Sequence, residues 1–399
     1  MSDTQQFNFD RIVDRHGSWC TQWDFVADRF GHDDLLPFTI SDMDIPTAPA
    51  VIEALQQRVS HGVLGYSRWQ HDDFLGAISR WYQQRFEVSV DRQQIVYGPS
   101  VIYMVAQMLR RWSQPGDGVV IHTPAYDAFY KVIEGNQRRV MALPLSQHDE
   151  DWQCDMAALE QMLANPQCKI LLLCSPHNPT GKVWRRAELQ QMAALCERYQ
   201  VRVISDEIHM DMVMDDSCHI PWSCVGRGQW ALFTSASKSF NIPALTGAYG
   251  FISDEKDRAA WFQALKNADG PLFPAILAVA AHIAAYQHGA AWLDALRAYL
   301  RANLQHVAQR LNAAFPALHW QPPQATYLAW IDLNPLGIDD GELQRELIEQ
   351  QKVAIMPGST YGESGRGWLR FNVGCPRSKV DDGLDRLIAA LHNCLKQRA

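Results

Sequence analysis

The sequence predicts an α/β protein, with a large domain on a mostly parallel sheet joined to a smaller α+β domain. Between residues 94 and 206, short apolar runs alternate with amphipathic stretches of helical period, as strands and covering helices do. After about residue 285 that alternation gives way to one long helical stripe and a few isolated strands. A chain of 399 residues is also long for one compact domain. The implied boundaries are 51–285 for the large domain, with 1–50 and 286–399 together making the small one.

Residues 1–50 are mixed in character and end in Ile40-Ser41-Asp42-Met43-Asp44-Ile45-Pro46. Thr47 and Pro49 are helix-start signals before the amphipathic run Val51-Ile52-Glu53-Ala54-Leu55. His61 to Ser67 is a glycine-punctuated loop, and Phe74 to Phe86 a helix. Strands are expected over 94–97, 118–121, 169–174, 201–205 and 230–233, with helices over 101–112, 129–134 and 187–199. Beyond residue 285, Ala291 to Phe315 carries Leu293, Leu296, Leu300, Leu304, Val307 and Leu311 on one helical face. Short strands near 327–333 and 368–373 and helices over 341–351 and 379–395 complete the chain. No internal repeat or low-complexity segment interrupts it.

A net charge of −8 with no Lys/Arg block argues against a nucleic-acid surface. The polar N-terminus has no signal-like apolar core, and no run of about 18 apolar residues offers a membrane span. The nine scattered cysteines contain no C-x-x-C pair. These features fit reduced thiols and a cytoplasmic location. No His/Cys spacing suggests a metal. Gly226-Arg227-Gly228-Gln229-Trp230-Ala231 formally matches a dinucleotide fingerprint but precedes a strand rather than following one, so it is rejected.

The chemistry gathers at strand ends. Lys238 stands in Ser235-Ala236-Ser237-Lys238-Ser239, just past an apolar strand. Desolvation there lowers an amine's pKa and suits it to Schiff-base chemistry; a solvated surface lysine is the alternative. Ser235 and Ser237 would offer hydroxyls to an anion. Gly98-Pro99-Ser100-Val101 opens a helix after a strand, where bare amides attract anions. Asp206 ends another strand and reads either as a helix cap or as the partner of a pyridinium nitrogen. Asn178, in Asn178-Pro179-Thr180-Gly181, is a turn residue or a donor to a phenolic oxygen. Tyr126 is core filler or a stacking ring. Arg370, on an otherwise apolar strand, calls for a carboxylate. Open α/β sheets bind ligands at the edge where Asn178, Asp206 and Lys238 all fall.

Taken in order, G-P-S, T-P-A-Y, S-P-H-N-P-T-G, S-D-E-I-H and S-x-S-K-S-F resemble the fold-type I, aspartate-aminotransferase-like pyridoxal-phosphate enzymes. Longer runs, such as P-F-T-I-S-D-M-D and V-I-S-D-E-I-H-M-D-M-V, resemble the cystathionine beta-lyase (C–S lyase) subgroup. The resemblance implies pyridoxal 5'-phosphate bound covalently to Lys238, Asp206 on its ring nitrogen, Asn178 on its phenolic oxygen and Tyr126 over its ring. Ser100, Val101, Ser235 and Ser237 would surround the phosphate, His209 would line the cofactor, and Tyr66 would reach in from the second subunit of a homodimer. Arg370, Asn178 and Ile40 would bind substrate. The implied reaction cleaves L-cystathionine to L-homocysteine, pyruvate and ammonia. An aminotransferase on the same fold is one rival reading, and a regulator whose main task is binding a partner protein is the other. The resemblance further implies a regulatory partner, a transcription activator of maltose genes.

Overall fold

The computed structural model describes residues 7–148 and 151–397. In chain order the strands are β1 (Leu36–Phe38), β2 (Ile95–Gly98), β3 (Gly118–Thr123), β4 (Arg139–Pro144), β5 (Ser146–His148) and β6 (Asp151–Gln153). There follow β7 (Cys168–Cys174), β8 (Arg202–Asp206), β9 (Trp230–Thr234), β10 (Ala248–Ile252), β11 (Leu328–Asp332), β12 (Val353–Pro357) and β13 (Trp368–Asn372).

Seven strands form one sheet in the order β2-β10-β9-β8-β7-β3-β4. All pairings in it are parallel except the two made by β10, which runs against both β2 and β9. The inner strands are apolar on both faces because helices cover both, whereas the edge strand β4 is largely exposed. Ile170 to Leu173 and Ala231 to Phe233, for example, are fully buried. Helix Val101–Trp112 packs on β8 and β9 and buries Val101, Met104, Val105 and Met108, at the i, i+3, i+4, i+7 spacing its sequence shows. Each such apolar side chain contributes about 1.5–3 kcal/mol on burial.

β1, β12, β13 and β11 form a second sheet, in which β1 and β12 are parallel and the other pairs antiparallel. Helix Ala290–Ala314 buries the whole leucine stripe, Leu293 to Leu311, and packs against helix Arg377–Lys396. No helix among the described residues is long and apolar enough to cross a membrane.

Several local features depart from expectation. The sequence analysis does not identify β1, β4, β5, β6, β10 or β12. In β10 the reason is visible, since Gly250 weakens the strand signal yet is required there. A Cβ at that position would lie 2.0 Å from the Leu232 carbonyl oxygen of β9. Thr47 does not cap its helix, because Ala48 occupies the cap position, Pro49 the first turn, and the Thr47 hydroxyl is buried without a partner. The helix expected over 341–351 is α-helical only over Asp340–Arg345 and closes in a π turn, Glu346–Gln350.

Candidate active site

Sheet order explains why residues distant in sequence meet. The C-terminal ends of β3, β7, β8 and β9 lie side by side, with β2 beyond the antiparallel β10. They deliver Tyr126, Asn178, Asp206, Lys238 and Ser100 to one cavity of about 220 Å³. A larger groove of about 870 Å³, lined by Asp117, Lys169, Arg202 and Gln229, lies at the opposite, N-terminal ends of the same strands. It contains none of the candidate site residues, only part of the rejected Gly226–Ala231 motif, and open α/β sheets carry their chemistry at the other edge.

Lys238 opens onto the cavity and is otherwise enclosed by protein. Its Nζ donates to the Ser41 carbonyl at 2.7 Å. Burial pushes its pKa down to about 8; Arg370 adds to the fall, while Asp42 and Asp206 oppose it. The turn carrying the lysine is pinned from beneath, where Ser239 Oγ donates to Asp211 Oδ2 at 2.9 Å. From its far end, Asn241 Nδ2 donates to the Met43 and Ile45 carbonyls at 2.8 and 2.7 Å. An amine held this rigidly, and this close to neutrality, can act as nucleophile and as base.

Asp206 is the last residue of β8, and no helix starts there, so the cap reading gives way to a local turn in which Oδ1 accepts from Ile208 N–H at 3.1 Å. Burial pushes its carboxyl up to about 7, a rise that Ile208 N–H and Lys238 moderate. A buried carboxyl with so little compensation stays ionised only against a further cation. The neighbouring Glu207 is spent elsewhere, on Ser205 Oγ, Trp222 N–H and His219 Nε2 at 2.8, 2.7 and 2.9 Å. His209 lines the cavity with its Nδ1 unpartnered, and burial holds it neutral at about 3.

Asn178 and Arg370 are brought together across 192 residues, Nη1 donating to Asn178 Oδ1 at 3.1 Å. Arg370 Nη2 donates to the Thr39 carbonyl at 2.8 Å, and its Cζ lies 4.6 Å from the centre of the Tyr361 ring. Its Nε is buried without a partner, and no carboxylate neutralises it among the described residues. Gly181 makes the Asn178 turn possible. Its φ is +71°, and a Cβ there would lie 2.4 Å from Pro323 Cβ and 2.5 Å from the Ala325 carbonyl oxygen. The Ile40 carbonyl accepts from Asn372 Nδ2 at 2.6 Å, and Ile40 lines an outer chamber next to the cavity.

At the other end of the cavity stand Ser100, Val101 and Ile102, the start of a twelve-residue helix. Ser100 Oγ caps it by accepting from Tyr103 N–H at 3.2 Å. Ser237 and Ser235 lie beside this helix end, but unequally. Ser235 Oγ already donates to the Gly247 carbonyl at 2.7 Å, whereas the Ser237 hydroxyl makes no hydrogen bond among the described residues. Tyr66 does not enter this chain's cavity. It is 90% exposed, with its ring 4.9 Å from that of Phe273. The sequence analysis missed Ser41, Tyr361 and His282, whose Nε2 accepts from Ala236 N–H at 3.2 Å behind Ser235. No spacing signal could have found them, because each meets its partner only through the fold. No cluster of three or more His, Cys, Asp or Glu among the described residues could hold a metal.

The residues fit a phosphorylated aromatic aldehyde with a basic ring nitrogen. A helix start and a free hydroxyl suit the phosphate, an amine suits the aldehyde, and an under-compensated buried carboxyl suits the ring nitrogen. The class this defines is that of the pyridoxal-phosphate enzymes of fold type I. Residues 33–387 match the family model described as aminotransferase class I and II, and the chain belongs to that family. It is 65% identical over 385 residues to Protein MalY of Escherichia coli (strain K12), covering 96% of this chain and 99% of that protein. It is 34% identical over 388 residues to Cystathionine beta-lyase PatB of Bacillus subtilis (strain 168), covering 96% and 100% of the two chains. Among solved structures, the pyridoxal-phosphate-bound C–S lyase of Staphylococcus hominis superposes with a TM-score of 0.91 at 26% identity, covering 96% of this chain and 98% of that one.

Proposed function

We propose that this protein is a pyridoxal-phosphate-dependent carbon–sulfur β-lyase that converts L-cystathionine and water into L-homocysteine, pyruvate and ammonium. The observation that carries the reading is that Lys238 and Asp206 line one cavity while Arg370 lines the adjoining chamber that also reaches Lys238, three buried charged groups with incomplete compensation. The names of PatB and the Staphylococcus hominis C–S lyase support elimination over amino transfer. Strand positions support the division at 51–285, since the seven-stranded sheet lies within it and the four-stranded sheet outside.

Bound pyridoxal phosphate supplies the electron sink that stabilises charge at the substrate Cα. Lys238 Nζ attaches the cofactor and, once freed, takes the Cα proton, a task its lowered pKa suits near pH 8. Asp206 would hold the ring nitrogen and keep a proton there, Asn178 would hold the phenolic oxygen, Tyr126 would wall the ring, and His209 lines the same enclosure. Ser100 and Val101, beside Ser235 and Ser237, would hold the phosphate, where Ser237 would give a direct hydroxyl and Ser235 braces the turn. The free Nε edge of Arg370 grips the α-carboxylate, orienting Cα–H towards Lys238 while the thioether points out past Ile40. Tyr66, exposed on this chain, completes the neighbouring site in a homodimer. Given cystathionine and no oxo acid, the protein should release pyruvate and thiol in equal amounts over many turnovers. A reaction that stalls after one turnover and restarts with a 2-oxo acid would mark an aminotransferase.

The extent of identity to MalY also supports carrying over the regulatory partner, a transcription activator of maltose genes, bound in the cytoplasm. Co-purification of the two proteins tests this separately from catalysis.

A further inference from the structure

The cofactor cavity opens through Ser41, Tyr126, Lys238 and Pro243 into an outer chamber of about 600 Å³. This connection offers a route for the side chain of a substrate that reacts beside Lys238. Three of the charged residues lining the chamber, Arg15, Asp42 and Asp127, are already paired. Arg15 holds Asp42 and Asp44, each at 2.8 Å, and Asp127 holds Lys131 at 2.6 Å. Two guanidinium groups there lack a carboxylate. Arg370 is one, already assigned to the α-carboxylate. The other is Arg29, on the short helix Ala27–Phe30, whose one side-chain hydrogen bond among the described residues runs from Nη1 to Met356 Sδ at 3.2 Å.

That contact fixes where Arg29 stands. Met356 is the residue directly opposite Arg370 in the β12–β13 pair. Opposed antiparallel residues have Cα atoms about 4.5–5.5 Å apart, so Arg29, itself exposed, rests on the β12 residue that neighbours Arg370. A thioether sulfur is a weak acceptor, and a guanidinium resting on one exchanges it readily for a carboxylate. The chamber thus presents one buried and one outer carboxylate-seeking group, along the route open to a substrate side chain.

We propose that Arg29 is a specificity-determining residue that pairs with the distal carboxylate of a thioether amino acid carrying an amino-acid group at both ends. This rests on the lyase reading above and adds what selects the substrate within it. Alkyl cysteines have no distal carboxylate and gain nothing from Arg29; cystathionine has one.

Steady-state kinetics on the holoenzyme test this with two substrates, L-cystathionine and S-ethyl-L-cysteine, for wild type, Arg29→Ala and Arg29→Lys. The ratio of kcat/KM for cystathionine to that for S-ethylcysteine should fall about tenfold in Arg29→Ala, through KM rather than kcat, and partly recover in Arg29→Lys. In the wild type that ratio should also decline as salt is raised, because the pair is partly solvated, and should lose this dependence in Arg29→Ala. A ratio unchanged by Arg29→Ala overturns the proposal while leaving the lyase reading intact. A wild type that releases pyruvate from neither thioether overturns the lyase reading itself. Misfolding of a variant would depress both substrates together, so the ratio is read in variants that keep the wild-type rate on S-ethyl-L-cysteine and the wild-type Tm.

Discussion

Arg370→Lys keeps a positive charge in the cleft and removes the fork, and the structure says how much should be lost. The guanidinium is fixed on three sides, by Asn178 Oδ1, by the Thr39 carbonyl and by the Tyr361 ring, with the Nε edge left over. A carboxylate can therefore dock on two parallel N–H groups whose direction is already set. Lysine has a single ammonium on a flexible stem, leaves Asn178 Oδ1 without its donor, and binds the carboxylate as a point charge. One charge-assisted hydrogen bond is worth about 1.5–3 kcal/mol, so kcat/KM should fall by roughly ten- to a hundredfold. Because the fork also aims Cα–H at Lys238, kcat should fall along with the rise in KM. The assay is pyruvate release from cystathionine, with cofactor content and Tm measured in parallel to exclude misfolding. A variant with intact cofactor and a kcat/KM within about threefold of wild type would refute the reasoning.

Borohydride reduction should fix the cofactor onto Lys238, and peptide mapping to Lys182 or Lys266 instead would overturn that assignment. Asp206→Asn should retain cofactor but lose most activity, because an amide cannot keep the ring nitrogen protonated; near-normal turnover would reduce Asp206 to a turn residue. Mixing inactive Tyr66→Phe with inactive Lys238→Ala subunits should restore some activity if Tyr66 serves the neighbouring site, and none if it does not. Acid should destabilise the fold. Burial depresses His122, His177, His209 and His282 to about 3, 4, 3 and 4, so from about pH 6.5 downwards the unfolded chain binds protons that the folded one refuses. Asp206 and Asp211, raised by burial, act in the opposite sense but are fewer. Thermal unfolding at pH 5 should therefore lie below that at pH 7, and a flat or rising Tm would contradict this balance.

The strand-end candidates were legible because local chemistry marks them. Lys238 follows an apolar strand among small hydroxyl residues, and Asn178 sits in a turn whose glycine the backbone demands. Arg370 stands out as a charge on an apolar strand. The helix Val101–Trp112 and the leucine stripe of Ala290–Ala314 were equally plain, since helical period is a property of neighbours in sequence. What escaped was non-local. Ser41 accepts from Lys238 across 197 residues, and Tyr361 lies under Arg370 only because the turn after β12 folds back over β13. Strand β10 hid because its glycine, a weak strand former, is there to let Leu232 approach.

The sequence by itself determined the family, the strand–helix alternation and which side chains carry chemistry, because motifs and periodicity are written in adjacent residues. Only the tertiary structure decided how those side chains are charged and to what they are tied. It showed that Ser235 is committed to Gly247 while Ser237 is free, and that Glu207 is spent on His219 while Asp206 is not. Arg29, an ordinary exposed arginine in the sequence, turned out to stand over Met356 beside Arg370. Such distinctions depend on burial and on partners brought from far along the chain, and a linear sequence fixes these only through the packing of the whole molecule.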